Sequence, residues 1–213
     1  MKSNHVKTRA AKVLAILKQT YADATCELVH EDTLQLLIAT ILSAQCTDKR
    51  VNMVTPALFK KYKTAKEFAR ADLTELESFI HSTGFYKNKA KSIKHCCVML
   101  VEKHAGKVPH AMEELTYLPG VGRKTAHVIR GYGFKEPAMV VDTHVLRVAK
   151  RLGFSQQENA VKMEHELAAL VPEKDWTDFC TTILFHGRYC CKARKPECHR
   201  CPLKTLCPSA PPT

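Results

Sequence analysis

The sequence predicts an all-α fold ending in a loop-rich, cysteine-bearing C-terminus. Three observations predict it. Apolar residues recur at the 3.6-residue helical period through most of the chain. A single short apolar run, Ala138 to Val141 after Pro137, reads as extended, and four residues do not make a sheet. Five of the ten cysteines lie between Cys190 and Cys207, where Pro196 and Pro202 break up the chain.

Each element follows in order. Ala10, Val13, Leu14, Leu17 and Tyr21 share one helix face. Asp32 and Gln35 suit a capping box ahead of Leu34, Leu37, Ile38, Ile41 and Leu42. Thr47 can cap a helix through Val51, Val54, Leu58 and Phe59, with Pro56 expected to kink or split it. Shorter helices are predicted near Thr64–Arg70 and Leu73–Ile80. A longer one carries Ala90, Ile93, Cys97, Leu100, Val101 and His104, with Lys87, Lys89, Lys91, Lys94 and Lys103 on its other face. Trp176, Phe179, Cys180, Ile183, Leu184 and Gly187 mark the last helix.

Composition narrows the function classes. With 213 residues the chain can bury a core, and 45% apolar content with interspersed charges argues against a disordered basic tail. No apolar run approaches the roughly 20 residues of a membrane helix. The run Val13-Leu14-Ala15-Ile16-Leu17 ends at Lys18, short of a secretory core of about 7–15 residues. A reducing, cytoplasmic location is expected, where metal binding or burial of cysteines outranks disulfides. The net charge of +12 points to a polyanionic partner, nucleic acid first, with a solvated basic surface as the plain alternative.

Leu118-Pro119-Gly120-Val121-Gly122-Arg123-Lys124 interrupts the helical pattern. Its two glycines are expected to allow a tight turn with φ > 0, followed by a helix through about Gly131. The first turn of such a helix offers backbone N–H groups to a phosphate, and Arg123, Lys124, Arg130 and Lys135 add charge with no acid among residues 120–135. Such a hairpin grips a nucleic-acid backbone without reading sequence, although an ordinary helical corner has the same outline. No strand precedes it and no G-K-[ST] follows, which argues against a dinucleotide loop and excludes a Walker A loop.

Lys124 and Asp142 form a candidate chemical pair. A neutral lysine amine can form a Schiff base with a sugar C1′, and a carboxylate can stabilise a cationic sugar or relay protons. The simpler roles are a phosphate-contacting lysine and the N-cap of a helix through Val145, Leu146, Val148 and Ala149. At the C-terminus, Cys191-x6-Cys198-x2-Cys201-x5-Cys207 brings four thiols within 17 residues. Four soft thiolates suit zinc or an iron–sulfur cluster, but a zinc ribbon normally needs two C-x2-C pairs and this segment has one. Arg188, Lys192, Arg194, Lys195, Arg200 and Lys204 surround the loop against Glu197 alone, a second candidate phosphate-binding patch.

Taken together, Leu118-Pro-Gly-Val-Gly-Arg-Lys-Thr-Ala126 and Val141-Asp-Thr-His144 resemble the endonuclease III group of helix-hairpin-helix DNA glycosylases. The resemblance extends over Leu42-Ser-Ala-Gln-Cys-Thr-Asp48, Gly84-Phe-Tyr86, His186-Gly-Arg-Tyr189 and the C-terminal cysteines, and so over nearly the whole chain. It implies a two-lobed, all-α helix-hairpin-helix glycosylase fold. Residues 26–136 would form a helical barrel carrying the hairpin, and residues 1–25 with 137–213 a discontinuous domain carrying the cluster loop at 191–207. DNA would run between the lobes.

The same resemblance implies a 4Fe–4S cluster on Cys191, Cys198, Cys201 and Cys207, and a monomer acting on duplex DNA with oxidised bases or abasic sites. Lys124 matches the nucleophile and Asp142 the catalytic carboxylate of a bifunctional enzyme that removes oxidised pyrimidines and nicks the abasic site by β-elimination. Gln45 would fill the gap left by a flipped base and Phe85 would wedge the opposite strand. Gly120, Gly122 and Arg123 would contact the backbone, His144 would orient Asp142 or contact DNA, and Arg188 and Lys195 would add contacts from the cluster loop. The alternatives are a monofunctional mismatch or damaged-base glycosylase and a catalytically silent module for distorted duplex. Cys46 and His127 depart from the family pattern, where alanine and asparagine are common, and leave damage specificity open.

Overall fold

Helices begin where the sequence supplies a side-chain cap. In the computed structural model, which describes residues 2–211, the chain divides into two units, Cys26–Glu136 and Met1–Thr25 with Pro137–Thr213. No strand occurs among the described residues, and none of their helices is long and apolar enough to cross a membrane.

The unit Cys26–Glu136 contains seven α-helices: α2 (Thr33–Leu42), α3 (Asp48–Lys61), α4 (Ala65–Arg70), α5 (Leu73–Ile80), α6 (Tyr86–Lys103), α7 (Met112–Tyr117) and α8 (Arg123–Val128). Asp32 caps α2 by accepting from Gln35 N at 2.8 Å. The return bond of the expected box is displaced by one residue, because Gln35 Oε1 accepts from Glu31 N. Thr64 and Glu67 complete a reciprocal box at α4. Helix α2 buries Leu36 through Leu42 and is the apolar centre of this unit, as a helix hydrophobic all round must be. Pro56 does not split α3: Val51, Thr55 and Leu58, buried on both sides of it, hold the helix together.

Two expectations for this unit are corrected. Lys89 and Lys94 do not belong to a solvated face of α6. Lys89 is buried, and Lys94 Nζ donates to the Ala71 carbonyl at 2.9 Å. In the hairpin, only Gly120 has φ > 0, at +80°, while Gly122 is extended with φ −93°. The α-helical part then stops at Val128, and Ile129–Gly133 continues as a wider π turn closed by Phe134 N on Ile129 O at 3.1 Å.

The other unit holds α1 (Lys2–Thr20), α9 (Thr143–Arg151), α10 (Ala160–Leu170) and α11 (Trp176–Tyr189). Helix α1 buries the expected Ala10, Val13, Leu14 and Leu17. The run Ala138 to Val141 is buried but unpaired as a strand; Ala138 N instead donates to Thr177 Oγ1. Helices α9 and α11 cross closely at Gly187, where an added Cβ would stand 3.0 Å from His144 Cβ and 3.2 Å from Val148 Cγ2.

Gly120 is held by two constraints, its positive φ and a neighbour on α6. A Cβ there would meet Ser92 Cβ at 2.9 Å and Ile41 Cγ2 at 3.5 Å. Gly120→Ala should therefore destabilise the protein by about 2–3 kcal/mol through backbone strain and overpacking. Urea unfolding checks this, and an unchanged midpoint would refute the packing account.

Candidate functional site

The hairpin places Lys124 at the second position of α8. Leu118 and Val121 are buried and anchor the turn, Val121 N donates to Leu118 O, and Ala126 N donates to Gly122 O as the first helical bond. Gly122, Arg123 and Lys124 are all exposed, and space is open where a Gly122 side chain would stand. The first-turn N–H groups of α8 have no intrahelical acceptor, so an anion finds donors there. Lys124 makes no hydrogen bond or ion pair among the described residues. His127, three residues on, is buried rather than sharing the exposed side of Lys124.

Gln45 and Phe85 stand at two exposed tips of the same unit. Each has left-handed backbone, φ 53° for Gln45 and 49° for Phe85. Gln45 lies in the turn between α2 and α3, and Phe85 is the residue from which α6 starts. Phe85 is 65% exposed, so it is not the core phenylalanine that an apolar residue between helices usually is.

Asp142 lies in the other unit as the N-cap of α9, and it is buried. Its Oδ1 accepts from both His144 N and Val145 N at 2.8 Å. Oδ2 makes no hydrogen bond among the described residues. The helix cap therefore uses one oxygen of the carboxylate and leaves the other without a hydrogen bond. The His144 ring does not orient Asp142: Arg147 Nη2 donates to its Nδ1 at 3.2 Å, which leaves the ring proton on Nε2.

Cys191, Cys198, Cys201 and Cys207 line one cavity of about 110 Å³ with His186, Cys190 and Leu203. The tightest trio of donor atoms is His186, Cys190 and Cys201, mutually within 4.8 Å. Cys190, outside the expected ligand spacing, thus lies close to one of the four. Cys190 is buried, with its backbone N–H on His186 O, whereas the four spaced cysteines are each half-exposed.

The surroundings fit an anionic thiolate centre. Arg151 Nη1 donates to Cys191 Sγ at 3.3 Å and to Lys192 O at 2.7 Å, and Arg151 Nη2 donates to Ala193 O. Arg147 donates to Gly187 O and Cys191 O. Burial pushes the Cys201 thiol up to about 12 and the His186 imidazole down to about 4. The His186 ring bridges two groups, with Nδ1 3.2 Å from the Tyr21 hydroxyl and Nε2 3.6 Å from Cys201 Sγ. Buried thiols of this kind ionise when metal replaces their protons.

Of the basic residues around the loop, Lys192 and Arg200 are tied to Glu197. Arg194 and Lys195 are exposed and make no ion pair among the described residues, with Lys195 at φ 53°. Arg188 is half-buried on α11. The patch is narrower than the sequence implied, because one glutamate holds two of its cations. Sequence reasoning missed Lys89, Arg147, Arg151 and Gly187. The i, i+4 arginine pair directly after the Asp142 cap was a legible sign for two of them.

Residues 38–173 match the model of the HhH-GPD superfamily of base excision DNA repair proteins, and residues 191–207 match the iron–sulfur binding domain of endonuclease III. The second match begins at Cys191 and ends at Cys207, and the loop is an iron–sulfur cluster site. Endonuclease III of Synechocystis is 52% identical over 205 residues, covering 96% of this chain and 94% of that protein. Endonuclease III of Bacillus subtilis is 47% identical, covering 88% and 86%. A solved non-covalent endonuclease III–DNA complex superposes with a TM-score of 0.91 at 45% identity, over 96% of each chain. With both motifs and near-complete coverage in agreement, the chain belongs to the endonuclease III family of helix-hairpin-helix base-excision DNA repair enzymes, DNA glycosylases with abasic-site lyase activity.

Proposed function

We propose that the chain, as a monomer, removes oxidised pyrimidines from duplex DNA with Lys124 as nucleophile and Asp142 as catalytic carboxylate, and then nicks the abasic site. The observation that carries this reading is Asp142, a buried carboxylate whose Oδ1 is occupied by the α9 cap while Oδ2 has no partner. Buried carboxylates are normally paired, and one held half-open is a candidate for chemistry. A trapped covalent endonuclease III–DNA intermediate, 45% identical to this chain, supports covalent chemistry in the family.

The glycosidic bond is unreachable in the stack, so the damaged nucleotide is turned out of the duplex. Gln45 occupies the vacated position and Phe85 presses on the opposite strand. The α8 first turn, with Gly120, Gly122 and Arg123, holds the phosphate backbone. Asp142 accepts a proton from Lys124 and balances positive charge as it grows on the sugar. The amine bonds to C1′ as the glycosidic bond breaks and the base leaves with its electron pair. The product keeps the C1′–O4′ bond; when that bond breaks and O4′ takes a proton, the Lys124 nitrogen becomes an iminium, which acidifies C2′, and loss of the C2′ proton expels the 3′ phosphate. His144, its ring proton on Nε2, can donate to a DNA phosphate, and Arg188, Arg194 and Lys195 add contacts from the cluster side. Cys191, Cys198, Cys201 and Cys207 would hold a 4Fe–4S cluster, which would cross-link the loop that presents Arg194 and Lys195.

Borohydride trapping on a duplex with one thymine glycol tests the nucleophile. Wild type should give a covalent adduct and Lys124→Ala none; an adduct from both proteins would move the Schiff base to another amine. Asp142→Asn separates chemistry from capping, since asparagine caps a helix as well as aspartate. Its melting temperature should be close to wild type, while single-turnover base release falls about 10²- to 10⁴-fold. Equal losses of stability and rate would leave Asp142 a cap only. Lys195→Ala should reduce the slope of log affinity against log salt by about 1, uniformly across sequences.

A further inference from the structure

Lys89 carries the one buried ammonium of α6, and the mechanism does not use it. The residue is 6% exposed, and burying a cation is costly unless its donors are matched. Its Nζ donates to the Leu42 carbonyl at 2.7 Å and to the Thr83 carbonyl at 2.8 Å. Both acceptors end a helical segment: Leu42 is the last residue of α2, and Thr83 closes the 3-10 turn His81–Thr83. Carbonyls at such ends have no partner in their own helix and carry the negative pole of the dipole. One buried cation therefore caps two helical ends at once.

Each capped carbonyl immediately precedes one of the exposed tips. Gln45 comes three residues after Leu42, and Phe85 two residues after Thr83. Both tips hold left-handed backbone in residues other than glycine, which persists only when the surroundings over-determine it. The Lys89 backbone adds a third tie, because its N–H donates to the Phe85 carbonyl at 3.0 Å. A tip anchored at one end only would be free to turn about its anchor; Lys89 fixes the starting points of both against a single atom.

We propose that Lys89 is a positioning residue that sets the spacing of the Gln45 and Phe85 tips for entry into the duplex. The inference rests on the proposed roles of Gln45 and Phe85 and deepens them. It makes lesion extrusion dependent on a side chain that touches neither DNA nor the reacting atoms. A lysine suits the position because a compact ammonium can serve two carbonyls from one point, whereas the planar fork of arginine cannot occupy the same point.

The test compares wild type, Lys89→Met and Lys89→Arg, each alone and combined with Gln45→Ala/Phe85→Ala. Base release is followed on a thymine glycol duplex with 2-aminopurine beside the lesion to report unstacking, and strand cleavage on a single-stranded oligonucleotide with a preformed abasic site. Lys89→Met should lose both unstacking and duplex base release about 10- to 100-fold, as displaced positioning groups do, with single-strand cleavage unchanged. Lys89→Arg, which keeps the charge and guards against a fold too weakened by unpaired carbonyls, should lose less on the duplex. In the Gln45→Ala/Phe85→Ala background, neither Lys89 change should cost anything further. Equal losses on both substrates, or losses that add to those of the tip variants, would overturn the positioning role. A wild type that releases the base without unstacking would overturn the reading of the tips themselves, and the Lys89 inference with it.

Discussion

The two backbone bonds accepted by Asp142 Oδ1 fix where α9 begins, and most of its unit is placed from there. A helix start sets the rotation of every later side chain at 100° per residue. Once Thr143 is the first helical residue, Arg147 and Arg151 fall one turn apart on the same side. Both reach the start of the cysteine loop, Arg147 at Gly187 O and Cys191 O, Arg151 at Cys191 Sγ and the Lys192 and Ala193 carbonyls. The absence of a side chain at Gly187 lets α11 come close enough for those bonds. One carboxylate thus orders the helix that holds the cluster loop, while its second oxygen remains open.

The unit Cys26–Glu136 solves a different problem, that of keeping short exposed tips rigid. Loops gain precision when their ends are tied to buried groups, and here the ties are backbone carbonyls rather than side chains. Leu118 and Val121 bury the flanks of the hairpin, and Gly120 lies against Ser92 with no room for a Cβ. Apolar anchors and close backbone contact therefore position α8, as buried charge positions the two tips. Neither device depends on the identity of the exposed residue it supports, so the tips can vary in chemistry without loss of placement.

Local signals in the sequence covered most of this arrangement. Helical periodicity located the elements because burial on one helix face leaves a regular trace, and Asp32, Thr47, Thr64 and Asp142 all cap the helices they precede. The cysteine spacing located the loop because here four thiols fall within 17 residues, the same segment that the iron–sulfur domain matches. What stayed hidden depends on long-range approach. Lys89 belongs to a run of lysines on α6, and nothing local separates the one that is buried. Gly187 reads as one more residue in an apolar period until α9 is laid across it. Gly120 and Gly122 look alike in sequence, yet only Gly120 has positive φ and a neighbour in the way.

The distribution of charge shows the same gap between composition and structure. A net charge of +12 states an excess but not its location. Acids take six of the cations: Asp178 takes Lys18, Glu75 takes Lys61, Glu136 takes Arg130, Glu158 takes Lys150, and Glu197 takes both Lys192 and Arg200. Such surface pairs contribute little stability, about 0–1 kcal/mol each. Their larger effect is subtractive. Those cations are locally neutralised, whereas Lys124, Arg194 and Lys195 make no ion pair among the described residues. At Lys124 an unpaired cation adjoins backbone N–H groups of the α8 first turn, so charge and donors act on a phosphate at the same place.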